Sequence, residues 1–126
     1  MNKIKYWTNL AEEDISVSEI LLRNGKILYS GFMCHLAVEK ILKAKIESNG
    51  EIPPKTHNLI KLAEIAGVID LMTDDQSELL DTLNPLQIEA RYPAYKQQVE
   101  STLSTEQCEN LVQLAKEMIF WIKTLL

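Results

Sequence analysis

The sequence predicts an all-α fold: an antiparallel up-and-down bundle of about five helices. Three observations carry that expectation. Apolar residues recur at helical spacing in five segments, start and stop signals bracket those segments, and no strand-like alternation runs longer than a few residues. Short connections imply neighbours that run antiparallel. Residues 1–126 read as a single domain without repeats or low-complexity stretches.

The first helix is expected from about Lys5 to Arg23. Ile4, Trp7, Ala11, Ile15, Ser18 and Leu22 form its stripe, and Leu10, Val17 and Leu21 widen it. Asn24-Gly25 stops it, since both residues tolerate the left-handed backbone that closes helices. The second helix, about Ile27 to Ser48, carries apolar residues on more than one side: Phe32 and Leu36, Met33 with Ala37 and Ile41, Cys34 with Val38 and Leu42. That pattern suits a central helix, and it also argues for a second subunit, because four short neighbours do not readily cover so much surface. Asn49-Gly50 closes it, and Pro53-Pro54 makes an extended link.

Thr56 is the expected N-cap of a short third helix bearing Leu59, Leu62, Ala63 and Ala66 and ending at Gly67, which puts His57 in its first turn. Thr73 with Gln76 reads as a capping box opening a fourth helix with Leu79, Leu80, Leu83, Leu86 and Ala90. Pro85 kinks or splits that helix after Asn84, and Pro93 ends it near Arg91. Ser104 with Gln107 is a second capping box, opening a last helix with Leu111, Leu114, Ala115, Met118, Ile122 and Leu125 on its stripe.

Composition bounds the function. At 126 residues, 46% hydrophobic and 25% charged, the chain is an ordinary globular mixture. Folding could bury roughly two-thirds of the surface the unfolded chain exposes. The net charge of -5 disfavours sequence-independent nucleic-acid binding, so any contact with RNA or a nucleotide must use a local basic site. Cys34 and Cys108 read as small buried hydrophobes, with no C-x-x-C or Cys/His spacing for zinc. No apolar run approaches the roughly 20 residues needed to span a bilayer, and Met1 to Leu10 lacks a signal core. The expected compartment is the cytoplasm, with no membrane association.

Three groups of residues could carry chemistry. His35, Glu39 and Lys43 lie four apart on one face of the second helix, either as an exposed charge series or as a polar seam against another helix or subunit. In Glu89-Ala90-Arg91-Tyr92-Pro93-Ala94-Tyr95, Arg91 either complements the end of a helix or offers a fork of donors to phosphate or carboxylate. Tyr92 or Tyr95 would then supply a stacking face and a hydroxyl. His57 is either structural or catalytic. With two histidines and no third ligand at a recognisable spacing, no metal is expected, and no cofactor. Phosphate-cradling glycine loops and nucleophile elbows are absent.

Four pieces, in order, resemble the HEPN family of small helical domains associated with minimal nucleotidyltransferases. They are Leu10-Ala11-Glu12-Glu13-Asp14-Ile15; Gly31-Phe32 through His35-Leu36-Ala37-Val38-Glu39-Lys40-Ile41-Leu42-Lys43-Ala44; Thr56-His57-Asn58-Leu59; and Arg91-Tyr92-Pro93. The resemblance implies a helical bundle that pairs into a homodimer, with polar residues of the second helix and the Arg-Tyr-Pro region near a cleft. It also implies a nucleotide-binding or RNA-processing role, in many members as a toxin paired with a nucleotidyltransferase antitoxin. Ribonuclease members carry a histidine four to six residues after the arginine. Here none of Tyr92 to Gln98 is histidine.

The expected function is therefore a non-catalytic, homodimeric binding module acting with a separately encoded nucleotidyltransferase. Its nucleotide or phosphate site would draw on His35, Glu39, Lys43, His57, Arg91, Tyr92 and Tyr95. One alternative is a metal-independent ribonuclease using Arg91 with Tyr95 or His57; another is a purely structural interaction protein. Cleavage by arginine-histidine chemistry is not expected, because arginine cannot act as a base and tyrosine, with a pKa of about 10, is a poor one near neutrality.

Overall fold

Helical periodicity over most of the chain leaves each helix an apolar face to cover, and the computed structural model covers these faces by folding the chain around one helix. The structure describes residues 2–89 and 103–126. Six α-helices are found there: α1 (Lys3–Arg23), α2 (Ile27–Ser48), α3 (Leu59–Ala66), α4 (Asp74–Leu83), α5 (Leu86–Glu89) and α6 (Thr105–Lys123), with a 3-10 turn at Ile69–Leu71. No strand occurs among the described residues. None of the helices there is long and apolar enough to cross a membrane.

Local signals set the boundaries. The Asn2 side chain accepts from Lys5 N–H at 3.1 Å and starts α1. At its end, Gly25 takes a left-handed φ of 73°, letting Lys26 N–H donate to Leu21 C=O at 2.8 Å and Gly25 N–H to Leu22 C=O at 3.0 Å. Gly50 closes α2 in the same way. Both expected capping boxes form, Thr73 with Gln76 and Ser104 with Gln107. The fourth helical segment splits at Asn84-Pro85, so α4 ends at Leu83 and α5 begins at Leu86. Its expected end near Arg91 lies outside the described residues.

The start of α3 differs from expectation. Its N-cap is Asn58, whose side chain accepts from the N–H groups of Ile60 at 3.1 Å and Lys61 at 3.3 Å. Thr56 instead accepts from Asn58 N–H at 3.2 Å, so His57 precedes the helix rather than lying in its first turn. The reason is tertiary. Asn84 accepts from Leu59 N–H at 2.9 Å and donates to Asn58 Oδ1 at 3.1 Å, so an asparagine from the end of α4 completes the cap.

Helix α2 is the centre, packed chiefly against α1, then α6 and α3. Cys34, Ala37, Val38, Ile41 and Leu42 are all fully buried within this one chain, whereas Phe32, Met33 and Leu36 on the same helix are only partly buried. The buried hydroxyls of Ser18 and Ser30 are satisfied, with Ser18 donating to Ile15 C=O at 2.7 Å and Ser30 to Ser18 C=O at 2.8 Å. Cys34 and Cys108 are free and buried. Burial pushes the Cys34 thiol up from 9.0 to about 12, against a smaller opposing effect of its hydrogen bond with Ser18, and burial raises the Cys108 thiol as well.

Candidate functional site

Four of the residues singled out from sequence meet where α2 passes the link before α3. The i,i+4 spacing puts His35, Glu39 and Lys43 on one face of α2, and the structure turns that face inward: they are 0%, 3% and 8% exposed. An exposed charge series is therefore excluded. A buried carboxylate requires donors, and among the described residues Glu39 has two. Oε2 accepts from Lys43 Nζ at 3.1 Å, and Oε1 accepts from His57 Nδ1–H at 2.9 Å.

Two further contacts fix the link itself. His35 Nε2–H donates to the backbone carbonyl of His57 at 2.9 Å; a carbonyl can only accept, so the proton of that contact sits on Nε2. His35 Nδ1 lies 3.8 Å from Glu39 Oε1, beyond hydrogen-bond range. The Asn58–Asn84 cap then anchors the residue that follows His57.

The arrangement has one open side. The His57 side chain is 44% exposed, and with Nδ1 committed to Glu39 its Nε2 has no hydrogen-bond partner among the described residues. Lys43, bonded to the other oxygen of Glu39, lies with its Nζ 5.5 Å from the centre of the Trp7 ring on α1. A neighbouring ion pair, Lys40 to Asp14 at 2.7 Å, ties α2 to α1. Chemically, a buried anion thus orients one imidazole and one ammonium from separate elements, with the imidazole edge facing water. Among the described residues no group of three or more His, Cys, Asp or Glu is placed to hold a metal ion.

Arg91, Tyr92 and Tyr95 lie outside the described residues. Sequence reasoning missed Trp7 as a neighbour of Lys43, counting it only with the apolar stripe of α1. It also missed the Asn58–Asn84 pair. The i,i+4 series was legible because it is local, whereas no signal in one sequence joins Trp7 to Lys43 across 36 positions.

Fold and cluster together define an all-α bundle with an internal polar cluster opening to solvent on one edge. The chain belongs to the HEPN family: the HEPN domain model matches residues 4–125, nearly the whole chain. The crystal structure of TT1696 from Thermus thermophilus has the same fold, with a TM-score of 0.85 at 20% identity over 100% of both chains. No curated protein matches the chain.

Proposed function

We propose that this HEPN chain is a non-catalytic binding module in which His57 and Lys43, held by Glu39, receive a phosphate group of a nucleotide or of RNA. The observation that carries the reading is the Glu39 carboxylate, 3% exposed, which fixes both nitrogen-bearing side chains while the His57 edge stays open. His35 acts by holding the His57 backbone. Arg91, with Tyr92 and Tyr95, joins the proposal through the family resemblance, as do the homodimer, the separately encoded nucleotidyltransferase partner of a toxin-antitoxin-like pair, and the cytoplasm. Calorimetric titration with inorganic phosphate and 5′-AMP tests the site. His57→Ala is expected to weaken both about tenfold, the scale of one hydrogen bond to a charged group, and unchanged affinity in that variant would sink the reading. Purification from the native host, followed by identification of what co-purifies, tests the partner.

A second reading, a metal-independent ribonuclease, is favoured by one specific observation. A histidine whose Nδ1–H is held by a carboxylate and whose side chain is 44% exposed is arranged as an oriented general base. General acid-base participation is typically worth about 100- to 10,000-fold in rate. Incubating the protein with total RNA and single-stranded oligonucleotides decides between the two. Cleavage that disappears in His57→Ala or Arg91→Ala would promote this reading, and intact RNA would retire it.

A further inference from the structure

Helices α4 and α6 touch only sparsely, and the space between them opens as two adjoining hollows of about 700 and 220 Å³. Asp75, Leu79 and Leu114 line both, so the hollows run together as one groove along the two helices. Each wall is a helical stripe. Asp75, Leu79 and Thr82 stand at i, i+4 and i+7 on α4, and Leu111, Leu114 and Met118 at i, i+3 and i+7 on α6. The floor is apolar, with Leu79, Leu111 and Met118 buried and Leu114 partly exposed between them.

The rim is acidic. Asp75 and Glu78 are exposed on the α4 side and Glu117 on the α6 side. None of the three forms an ion pair among the described residues, and Glu117 accepts there only from Gln113, at 3.5 Å. Asp75, in the first turn, complements the positive end of α4. That account does not reach Glu78, one turn further in, or Glu117, in the second half of α6. The lysines of α6 are spent on its other flank, Lys116 on Glu19 and Lys123 on Glu12 of α1. From Leu62 to Glu89 the chain has no lysine or arginine, so α4 brings no cation of its own to the rim.

We infer that the α4–α6 groove is a docking site for a cationic amphipathic helix of a partner protein. Apolar side chains of that helix enter the floor, and lysines or arginines beside them meet Asp75, Glu78 and Glu117. A second copy of this face would set carboxylate against carboxylate, which costs affinity rather than adding it. Two helical walls accept a third helix, whereas an extended segment would need a strand edge, and no strand occurs among the described residues. The groove shares no residue with the Glu39 cluster, so the inference stands or falls apart from the phosphate-binding reading.

The test uses the full chain and three synthetic helical peptides of about four turns. One carries leucines at i, i+3, i+4 and i+7 flanked by lysines, the second has glutamates in place of the lysines, and the third has alanines in place of the leucines. Fluorescence anisotropy of the labelled peptides gives affinity, and amide chemical shifts of the protein give the place of binding. Only the leucine-lysine peptide is expected to bind, more weakly as salt is raised, with shifts confined to residues 75–82 and 107–118. Combining Glu78→Lys with Glu117→Lys is expected to weaken it about tenfold, the scale of two exposed ion pairs lost. Both positions are exposed, so the thermal midpoint should stay near that of wild type. Equal binding of the glutamate or alanine peptide, undiminished affinity in the double variant, or shifts centred on carboxylates outside the groove such as Glu64 and Asp70 would overturn the inference. So would no binding at millimolar peptide. Shifts of the same amides with protein concentration alone would assign the groove to a second copy and overturn it as well.

Discussion

Glu39 shows how one buried residue can set the behaviour of several others. Its carboxylate is out of water and accepts from Lys43, itself 8% exposed, and from His57. Removing one partner of such a pair strands the other, typically at a cost of about 3–5 kcal/mol, whereas replacing both with apolar groups costs much less. Glu39→Ala is therefore expected to destabilise the fold by about that amount, and Glu39→Leu combined with Lys43→Met by less than Glu39→Ala alone. Denaturant unfolding of the cycle measures this, and strictly additive changes would show that the pair is not coupled. Cys34 makes a second residue-scale prediction. Its thiol is favoured in the protonated form by burial, so its contribution to stability is complete below pH 9.0 and is lost as pH rises toward about 12. Wild-type protein should lose more stability than Cys34→Ala across that window. A parallel decline in both proteins would show that the thiol does not contribute.

At the scale of the elements, legibility followed the range of the interaction. Thr73–Gln76 and Ser104–Gln107 were readable because both partners lie within four residues of each other. The start of α3 was misplaced by two residues because Thr56 and Asn58 are both good caps, and the choice between them is made by Asn84 from another helix. The second helix was correctly bounded and correctly central, with Cys34, Ala37, Val38, Ile41 and Leu42 covered inside the chain and Phe32, Met33 and Leu36 only partly so. Gly31 on that helix has a reason no local pattern shows: a Cβ there would stand 3.0 Å from Leu86 Cδ1 and 3.6 Å from Leu103 Cδ2. Gly31→Leu is expected to cost about 1–3 kcal/mol by overpacking. A thermal midpoint equal to wild type would contradict that close approach.

For the whole molecule, fold class and family were legible because helical periodicity and the four resembling pieces span nearly all of the chain. The site was legible only on its α2 side, where spacing alone aligns His35, Glu39 and Lys43. The net charge of -5 is compatible with the proposed phosphate site, since a single imidazole-ammonium pair would neutralise few phosphates. A homodimer remains our expectation, seated on the partly exposed stripe of Phe32, Met33 and Leu36 along α2. Sedimentation should give twice 14.4 kDa at micromolar concentration, and Leu36→Glu should return the monomer. A 14.4 kDa species alone would rule the dimer out.

The contact between Asn84 and Leu59 also bears on the order in which parts of the molecule open. The first amide of α3 depends for its hydrogen bond on a residue 25 positions later, so that amide stays protected only while the end of α4 is docked. Leu59 should exchange its amide hydrogen with the same opening free energy as Leu79, Leu80 and Leu83, as one cooperative unit, although it belongs to another helix. In Asn84→Ala its exchange should accelerate while Ile60 and Lys61, served by Asn58, change less. Exchange of Leu59 in step with Ile60 in the native protein would break the connection. Because His57 lies two residues before Leu59, the same local opening would release the imidazole from Glu39. The distal helix would thereby act as a latch, and fluctuations there would set how long the site stays assembled.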